Sequence, residues 1–394
     1  MRWRSAVSES SSLDTALVEC GQAIRAEMGH VDTDLVVVFV SQNHAPGFDR
    51  VPGLVRREFP RGTIVGCSAG GVIGDGREVE HRPGLSIAAA HLPDVVVSPF
   101  RVETSDMPDA DAPPDRWEEL VHVSGQEQAH FVLLVDPFSF DAEQFVMGLD
   151  FAFQSSAKIG GMASGGQRPG GNALFLTDQV YRSGAVGLAL SGNVTVDTIV
   201  AQGCRPIGRP MRVTSVNRNI LTGLDDEKPI EVLQRTYSGL SSSDQHLARQ
   251  AVFLGIAMDS MNETPQLGDF LVRSIVGGDH ATGTLSVAEV LREGQTVQFH
   301  VRDAATSAQD LDHMLTSYSE RGPIYEETGA LLFSCLGRGE HLYGQPDHDT
   351  QMFRDKVSPM PLTGFFCNGE IGPVGDSTFL HSYTSSFGIF RPKN

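Results

Sequence analysis

The sequence lacks the features that mark secreted, membrane-spanning and metal-binding proteins. Its five cysteines, Cys20, Cys67, Cys204, Cys335 and Cys367, are widely spaced and include no C-x-x-C pair. An odd number without a pairing pattern is typical of reduced thiols and argues against a disulfide framework or a zinc finger. No apolar run approaches the roughly 18 residues that a membrane helix needs. We therefore expect a cytoplasmic protein that does not bind membranes.

Basic residues are also scarce. The 394 residues include 30 Lys and Arg against 49 Asp and Glu, which gives a formal charge of -19. Binding to a nucleic-acid backbone depends on clustered Lys and Arg, so we expect no nucleic-acid partner. The 13 histidines are scattered without metal-ligand spacing, so we expect no metal. Residues 1–12 are polar and Ser-rich, without the apolar core of a secretory signal, and we expect a disordered lead there.

The composition and the hydrophobic pattern of the sequence favour an α/β fold. Hydrophobic residues make up 40% of the chain, and its length is about right for two domains. The apolar strand at residues 35–40, a helical segment and the strand at residues 63–65 predict parallel strands in a sheet covered by helices. We expect two packed modules with mixed sheets flanked by helices, with an αββα sandwich as one arrangement. The expected divisions are residues 1–30 (lead and first helix), 31–215 and 216–394.

Turn sequences predict two hairpins. Residues 85–90 and 95–102 are joined by Pro93-Asp94, and residues 185–191 and 194–201 meet at Gly192-Asn193. Short connections of this kind favour antiparallel pairing of the flanking strands. No internal repeat is detectable in the sequence.

The segment Gly66-Cys67-Ser68-Ala69-Gly70 matches G-x-S-x-G after a strand, the setting of a nucleophile elbow. Ser68 is therefore a weak candidate for a hydrolase nucleophile. No His or acid stands out in the order that an α/β-hydrolase requires. We favour a tight turn whose backbone N–H groups face a ligand or another strand.

A thiol and a guanidinium follow the apolar strand at residues 331–335. Arg338 is suited to pairing with a ligand carboxylate or phosphate, and the alternative is an internal acid such as Glu370. Cys335 is a candidate nucleophile, but no local histidine activates it, and we favour structural burial. Glu370 follows Asn368 in a glycine-rich turn and is either a ligand contact or the partner of an arginine.

Taken together, short motifs in order along the chain resemble the FIST family of F-box and intracellular signal transduction proteins. The resemblance runs from about residue 34 to residue 390. The segments that carry it are residues 66–70, 183–187, 202–208, 301–303, 333–339 and 364–372.

The resemblance implies tandem N-terminal and C-terminal FIST domains in a sensory module for small ligands, amino acids among them. Some bacterial relatives are proposed to sense nitric oxide through haem, and the F-box members recruit proteins for ubiquitylation. We expect a stand-alone module without an F-box, which acts through a signalling protein partner.

Arginines beside glycine-lined strand ends favour a small carboxylate ligand. The alternatives are a protein-interaction scaffold, a thiol or serine hydrolase using Cys335 or Ser68, and a haem-based gas sensor. We favour binding over catalysis and expect no cofactor, with haem as the alternative. The predicted ligand-binding residues are Cys67, Ser68, Ala69, Gly70, Arg205, Arg302, Cys335, Arg338, Asn368 and Glu370.

Overall fold

The contacts of the chain divide it into two units. The computed structural model describes residues 1–29, 31–109, 111–259, 262, 264–322 and 328–393. Unit 1 comprises Met1–Val200, Leu311–Leu380 and Thr384–Asn394, and unit 2 comprises Ala201–Asp310 and His381–Tyr383. In the described part of the chain, no helix is long and apolar enough to cross a membrane. The mixed α/β class predicted from the sequence is confirmed.

The chain begins with a strand rather than with the disordered lead that we expected. Trp3 is only 1% exposed, and its ring lies 5.1 Å from that of Phe390. Burial of this indole explains why the polar segment is ordered. The elements of the first segment of unit 1 are β1 (Arg2–Ser8), α1 (Leu13–Met28), β2 (Leu35–Ser41), α2 (Val51–Glu58), β3 (Thr63–Ala69), β4 (Gly71–Gly74), β5 (Arg77–Glu80) and β6 (Leu85–His91).

The second segment repeats this order of elements. Asp141 caps its second helix by accepting a hydrogen bond from the backbone N–H of Gln144. The elements are β7 (Val95–Val102), α3 (Pro114–Val121), β8 (His130–Val135), α4 (Ala142–Ala152), β9 (Lys158–Met162), β10 (Leu174–Leu176), β11 (Gln179–Tyr181) and β12 (Ala185–Gly192).

The third segment is interrupted in sequence by unit 2. It begins with β13 (Thr195–Ala201). Unit 2 then contributes β14 (Cys204–Asn217), β15 (Ile220–Leu224), α5 (Pro229–Ser238), α6 (Ser242–Gln250), β16 (Val252–Ala257), β17 (Phe270–Asp279), β18 (Thr284–Val287) and β19 (Thr296–Arg302). The chain continues with α7 (Ala304–Ser319), β20 (Gly329–Cys335), α8 (Glu340–Tyr343), α9 (His348–Lys356), β21 (Leu362–Cys367), β22 (Glu370–Val374), β23 (Ser377–His381) and β24 (Ser385–Arg391).

Unit 1 is a threefold structural repeat that the sequence does not reveal. Its three sheets have the orders β1-β6-β2-β3-β10-β11, β7-β12-β8-β9-β22-β23 and β13-β24-β20-β21-β4-β5. Each has a central parallel pair, β2 with β3, β8 with β9 and β20 with β21, flanked by antiparallel strands. Each segment adds its hairpin to the sheet of another, and the exchange closes a cycle: β4-β5 joins the third sheet, β10-β11 the first and β22-β23 the second.

The cycle explains why both hairpin predictions are wrong. β6 pairs with β1 and β2, whereas β7 pairs with β12. Likewise, β12 pairs with β7 and β8, whereas β13 lies beside β24. The tight turns at these two positions therefore connect one sheet to the next instead of joining paired strands.

Three glycines mark equivalent positions in the repeats. Gly66, Gly160 and Gly364 lie opposite Val38, Leu133 and Leu332 in the three parallel pairs. A Cβ atom at any of them would overlap the carbonyl oxygen of the residue opposite. Only glycine permits this close approach of the two backbones.

The inner faces of the three sheets share one apolar core. It includes Phe39 of β2, Leu134 of β8, and Phe333 and Phe365 of the third sheet. Helices α1 and α2 cover the outer face of the first sheet, and α3 and α4 cover that of the second. Phe353 of α9 stacks on Phe387 of β24 with 5.2 Å between ring centroids. Each sheet is therefore buried on both faces, which accounts for the continuous apolar runs of the central strands.

Unit 2 contains a closed barrel with the strand order β14-β15-β18-β17-β16-β19. Val297, Phe299 and Val301 of β19 join its apolar core. Because side chains alternate along a strand, Gln298, His300 and Arg302 lie on the opposite face.

Candidate functional site

Most of the predicted site residues lie in unit 1, where the carboxyl ends of β3, β9 and β21 meet. The backbone N–H of Gly70 donates to Ser164 Oγ at 2.8 Å, and this hydroxyl in turn donates to the carbonyl of Phe366. Asn368 Nδ2 donates to the carbonyl of Ala163 at 3.3 Å. Ser164 is thus central to this cluster, although it is not among the predicted site residues.

Ser68 does not have the geometry of a nucleophile elbow. Residues 66–69, predicted as a tight turn, continue strand β3, and strand β4 follows after Gly70 rather than a helix. Ser68 is fully buried, and its Oγ accepts a hydrogen bond from the backbone N–H of Ala173 at 3.0 Å. The hydroxyl also lies 3.5 Å from Asn172 Oδ1. These contacts tie two strands together and keep the hydroxyl from solvent.

Three thiols lie near one another at this end of the core. Cys335 and Cys367 are directly opposite each other on β20 and β21, and Cys67 is within electrostatic range of Cys367. Burial raises the pKa of Cys67 and of Cys367 well above that of an ordinary thiol. Cys335 is 9% exposed. A buried, protonated thiol is a poor nucleophile, so the geometry supports structural roles for Cys67 and Cys367.

Glu370 is a buried carboxyl group at the start of β22. It accepts hydrogen bonds from the backbone N–H of Thr384 at 3.1 Å, the Thr384 hydroxyl at 2.9 Å and the Cys367 thiol at 3.4 Å. Burial raises its pKa, and although these bonds and the Arg338 charge oppose the change, the pKa rises to about 7. Glu370 therefore changes its protonation state near neutral pH.

Arg338 pairs with Asp349 and not with Glu370, the internal acid named from the sequence. Its Nε donates to Asp349 Oδ2 at 2.8 Å, and its Nη2 donates to Asp349 Oδ1 at 3.2 Å and to the Tyr343 hydroxyl at 2.5 Å. Both charged side chains are buried. Burial alone would raise the pKa of Asp349, but the Arg338 charge and three hydrogen-bond donors outweigh it and lower the pKa. Asp349 carries no motif that marks it as the partner.

The two remaining arginines of the prediction lie in unit 2 and differ in their contacts. Arg205 Nε donates to Asp303 Oδ2 at 2.8 Å, and its Nη2 donates to Asp244 Oδ1. Two carboxylates thus already hold this guanidinium, which leaves it little capacity for a ligand.

Arg302 retains unused donors. It is half-buried, and its Nε and Nη2 atoms are shielded from solvent without a hydrogen-bond partner among the described residues. Its guanidinium carbon lies 5.5 Å from the centroid of the Tyr383 ring. A cation–π contact of this kind holds the charge but does not satisfy the N–H groups.

His300 lies two residues before Arg302 on the same face of β19 and was not predicted from the sequence as a site residue. The imidazole is fully buried, and its Nδ1 lies 3.0 Å from the carbonyl of Gln298, so Nδ1 is the donor. Burial lowers the pKa of His300 to about 4, which leaves the ring neutral with an acceptor at Nε2. Nε2 has no partner in the described part of the chain. Strand alternation with Arg302 is the signal that would have found it.

Two neighbours shape the space around His300. A Cβ atom at Gly255 would overlap the imidazole, so glycine is needed for the ring to fit. Phe270 packs edge-on against the ring at 4.8 Å, and Gln202 Nε2 donates to the carbonyl of Phe270 at 2.9 Å. Gln202 Oε1 is a second buried acceptor without a partner among the described residues. We call Gln202, His300, Arg302 and Tyr383 the polar face of the barrel.

Clusters of metal-ligating side chains are absent from the described residues. Across the described ranges, no group of three or more His, Cys, Asp or Glu side chains is placed to hold a metal ion. A haem needs an accessible axial ligand. The unpartnered Nε2 of His300 is closed to solvent by the surrounding side chains, so this histidine as it stands does not fit a macrocycle.

Comparison with known families finds two domain models that match the chain in tandem. The FIST N domain matches residues 34–227 and the FIST C domain matches residues 229–373. An uncharacterized protein of Mycobacterium tuberculosis is 32% identical over 398 residues, which cover 99% of this chain and 100% of that protein. An uncharacterized protein of Mycobacterium bovis is also 32% identical, over 375 residues and 95% of each chain.

More distant similarities are partial or weak. An F-box/LRR-repeat protein of Arabidopsis thaliana is 25% identical over 142 residues, which cover 32% of this chain and 27% of that protein. Among solved structures, a cyanuric acid hydrolase from A. caulinodans is similar with a TM-score of 0.35 and 8% identity, covering 100% of this chain and 99% of the other. At these values the structural similarity carries no argument about function.

Proposed function

The chain belongs to the FIST family, whose domains are sensory and signal-transduction modules, and from this premise we propose that it binds a small amino acid or related carboxylate. The polar face of the barrel in unit 2 would hold this ligand. Strand β19 is rigidly placed within the barrel and presents Arg302 and His300 on one face.

The observation that carries the proposal is the unsatisfied guanidinium of Arg302. Its Nε and Nη2 form the edge of the guanidinium that matches the two oxygens of a carboxylate. Leaving such donors buried without acceptors costs free energy, and a bound carboxylate would supply the acceptors. Arg205 is held by two aspartates and Arg338 by Asp349 with one buried nitrogen left over, whereas Arg302 has two buried nitrogens without an acceptor among the described residues.

The neighbouring acceptors favour an amino acid over a simple acid. His300 Nε2 and Gln202 Oε1 are buried acceptors without donors among the described residues. An ammonium group is a compact donor of three hydrogen bonds. A ligand that carries both a carboxylate and an ammonium would therefore satisfy both kinds of unpartnered group.

The geometry favours binding over a serine hydrolase, and Cys335, the candidate thiol nucleophile, is only 9% exposed. Ser68 is fully buried in a strand and already hydrogen-bonded, and the thiols of Cys67 and Cys367 are held in the protonated form. A nucleophile needs both access and activation, and these side chains have neither in the structure.

A protein-interaction role is a second candidate. Met147 and Phe151 lie one turn apart on α4 and are 66% and 52% exposed. Exposed large apolar side chains that adjoin one another are typical of interaction sites. A signalling protein partner would contact this face of α4. Met147→Lys would then abolish binding of that partner, while binding of the small ligand persists.

Calorimetric titration with the common amino acids and small dicarboxylates tests the proposal. At least one compound should bind the parent protein and should lose affinity by roughly tenfold or more in Arg302→Gln, because one bidentate contact is worth at least about 1.4 kcal/mol. Arg209→Gln removes an exposed arginine of the same unit and serves as the matched control. Binding that persists unchanged in Arg302→Gln would refute the proposed site.

A further inference from the structure

A three-residue segment of the chain changes units twice. Unit 1 ends one of its segments at Leu380 and resumes at Thr384, whereas His381–Tyr383 belong to unit 2. We call residues 381–383 the strap. The strap joins two strands of unit 1 in sequence, because β23 ends at His381 and β24 begins at Ser385.

Within unit 2 the side chain of Tyr383 lies against Arg302, the arginine of the polar face. Its ring lies 4.5 Å from that of Phe253 and over the guanidinium of Arg302, and its hydroxyl lies 2.7 Å from Ser274 Oγ. The Nε and Nη2 atoms of Arg302 are shielded from solvent, so a carboxylate reaches them only when a neighbouring side chain moves, and Tyr383 contacts this guanidinium. The ring and a ligand would therefore compete for access to the same guanidinium.

The backbone of the strap is strained at the same residue. Tyr383 has a φ of 66°, in the left-handed region that large side chains rarely adopt. Such a conformation persists only where the surrounding contacts enforce it, and the contacts of the Tyr383 ring with Phe253 and Arg302 are among those that surround it. Removal of those contacts would favour a change in the backbone of the strap.

The next residue after the strap holds the buried carboxyl group of unit 1. Thr384 donates both its backbone N–H and its hydroxyl to Glu370, and its carbonyl accepts from the backbone N–H of Cys335 at 3.0 Å. Glu370 in turn accepts from the thiol of Cys367. A backbone change at Tyr383 therefore acts directly on the residue that completes this hydrogen-bond network.

We infer that the strap is the regulatory element of the proposed ligand site: a ligand on Arg302 displaces Tyr383, and the displaced strap loosens the bonds of Thr384 to Glu370. This inference rests on the proposed function for its ligand, but the coupling through the strap is a property of the protein alone. The structure thus offers a route from ligand occupancy in unit 2 to the strand ends of unit 1 along a covalent path.

The coupling is measured without ligand as the rate of iodoacetamide modification of Cys367, followed by mass spectrometry. Tyr383→Asn removes the ring and retains a residue that tolerates positive φ. We expect modification roughly tenfold faster than in the parent, with Tyr383→Phe between the two, because the ring contacts remain and only the hydroxyl bond is lost. Tyr237→Asn removes a tyrosine elsewhere in unit 2 and should leave the rate unchanged. An unchanged rate in Tyr383→Asn, or an equal increase in Tyr237→Asn, overturns the inference.

A second arm uses L-glutamate as the probe. In the parent, binding should accelerate modification of Cys367 rather than protect it, and Arg302→Gln should abolish the effect. If calorimetry shows that glutamate binds but the rate of Cys367 modification does not change, the coupling through the strap is refuted and the proposed function is still supported. Acceleration in Tyr383→Asn together with no binding of any amino acid or dicarboxylate would support the strap coupling and refute the proposed function.

Discussion

Replacement of Glu370 by glutamine should make the pH dependence of stability visibly different from that of the parent protein. Glu370 is fully buried, and its pKa is raised from 4.5 to about 7, chiefly by burial. In the unfolded chain the carboxyl group ionises at its ordinary pKa. The folded protein therefore binds an extra proton between these two values, and the parent loses stability as pH rises through that range.

The size of the effect follows from the two pKa values. A difference between 4.5 and about 7 corresponds to about 3 kcal/mol, at about 1.4 kcal/mol for each pKa unit. Below pH 4.5 both states are protonated and the penalty is absent, and above pH 7 it is fully present. Glutamine is neutral throughout and retains an acceptor for the N–H of Thr384.

Urea unfolding of the parent and of Glu370→Gln at intervals from acid to mildly alkaline pH is the assay. The free energy of unfolding of the variant relative to the parent should rise by about 3 kcal/mol across this range. Burial also raises the pKa of Glu78. The contributions of Glu78 and of other titrating groups cancel in the difference between the variant and the parent. Glu227→Gln is the exposed control, because a hydrogen bond from Arg235 lowers the pKa of Glu227 and predicts no such rise. A difference that stays flat with pH would refute the reasoning.

Three further substitutions test contacts within unit 1 or within unit 2. Asp349→Asn leaves the buried charge of Arg338 without its counter-ion and should cost about 3–5 kcal/mol in the free energy of unfolding, whereas a loss below about 1 kcal/mol would contradict the buried pair. Ser68→Ala should cost about 1–3 kcal/mol by chemical denaturation, and selective labelling of the parent Ser68 by a fluorophosphonate would show that the hydroxyl is reactive after all. Gly255→Ala should destabilise the barrel by about 1–3 kcal/mol through overlap with His300, and calorimetry that finds no change would mean that the ring is free to move.

The sequence predicts local structure well where one strand or helix carries its own signal. The apolar run of β2 and its parallel pairing with β3 are confirmed, because a strand buried on both faces must be apolar throughout. The alternation of apolar and polar residues along β19 is a second local signal, because it indicates which side chains share a face with Arg302. These features depend on neighbours in sequence.

The threefold repeat could not be predicted in the same way. It is defined by strand pairs that are distant in the chain, such as β4 with β21, and by backbone contacts at glycines that have no side chain to read. The turn at Gly192 has the composition of a hairpin, but the strands that leave it enter different sheets. Turn chemistry fixes a change of direction and does not decide which strands pair.

The residues of the candidate site show the same difference between local signals and contacts that are distant in the chain. Cys335, Arg338 and Glu370, named from motifs in the sequence, lie beside strand ends of unit 1, but the partner of Arg338 is Asp349, a residue without a motif. Strand alternation places His300 on the same face as Arg302, but the unpartnered nitrogen that makes it a candidate is visible only in the three-dimensional structure. Unpaired donors and acceptors are a property of packing rather than of sequence.

The central claim is that Arg302 holds the carboxylate of a small ligand. The most direct test is calorimetric titration of the parent, Arg302→Gln and Arg209→Gln with the amino acid that binds the parent most tightly. The account predicts saturable binding to the parent and to Arg209→Gln, with affinity reduced by roughly tenfold or more in Arg302→Gln. Equal affinity in all three proteins, or binding to none of them, would contradict it.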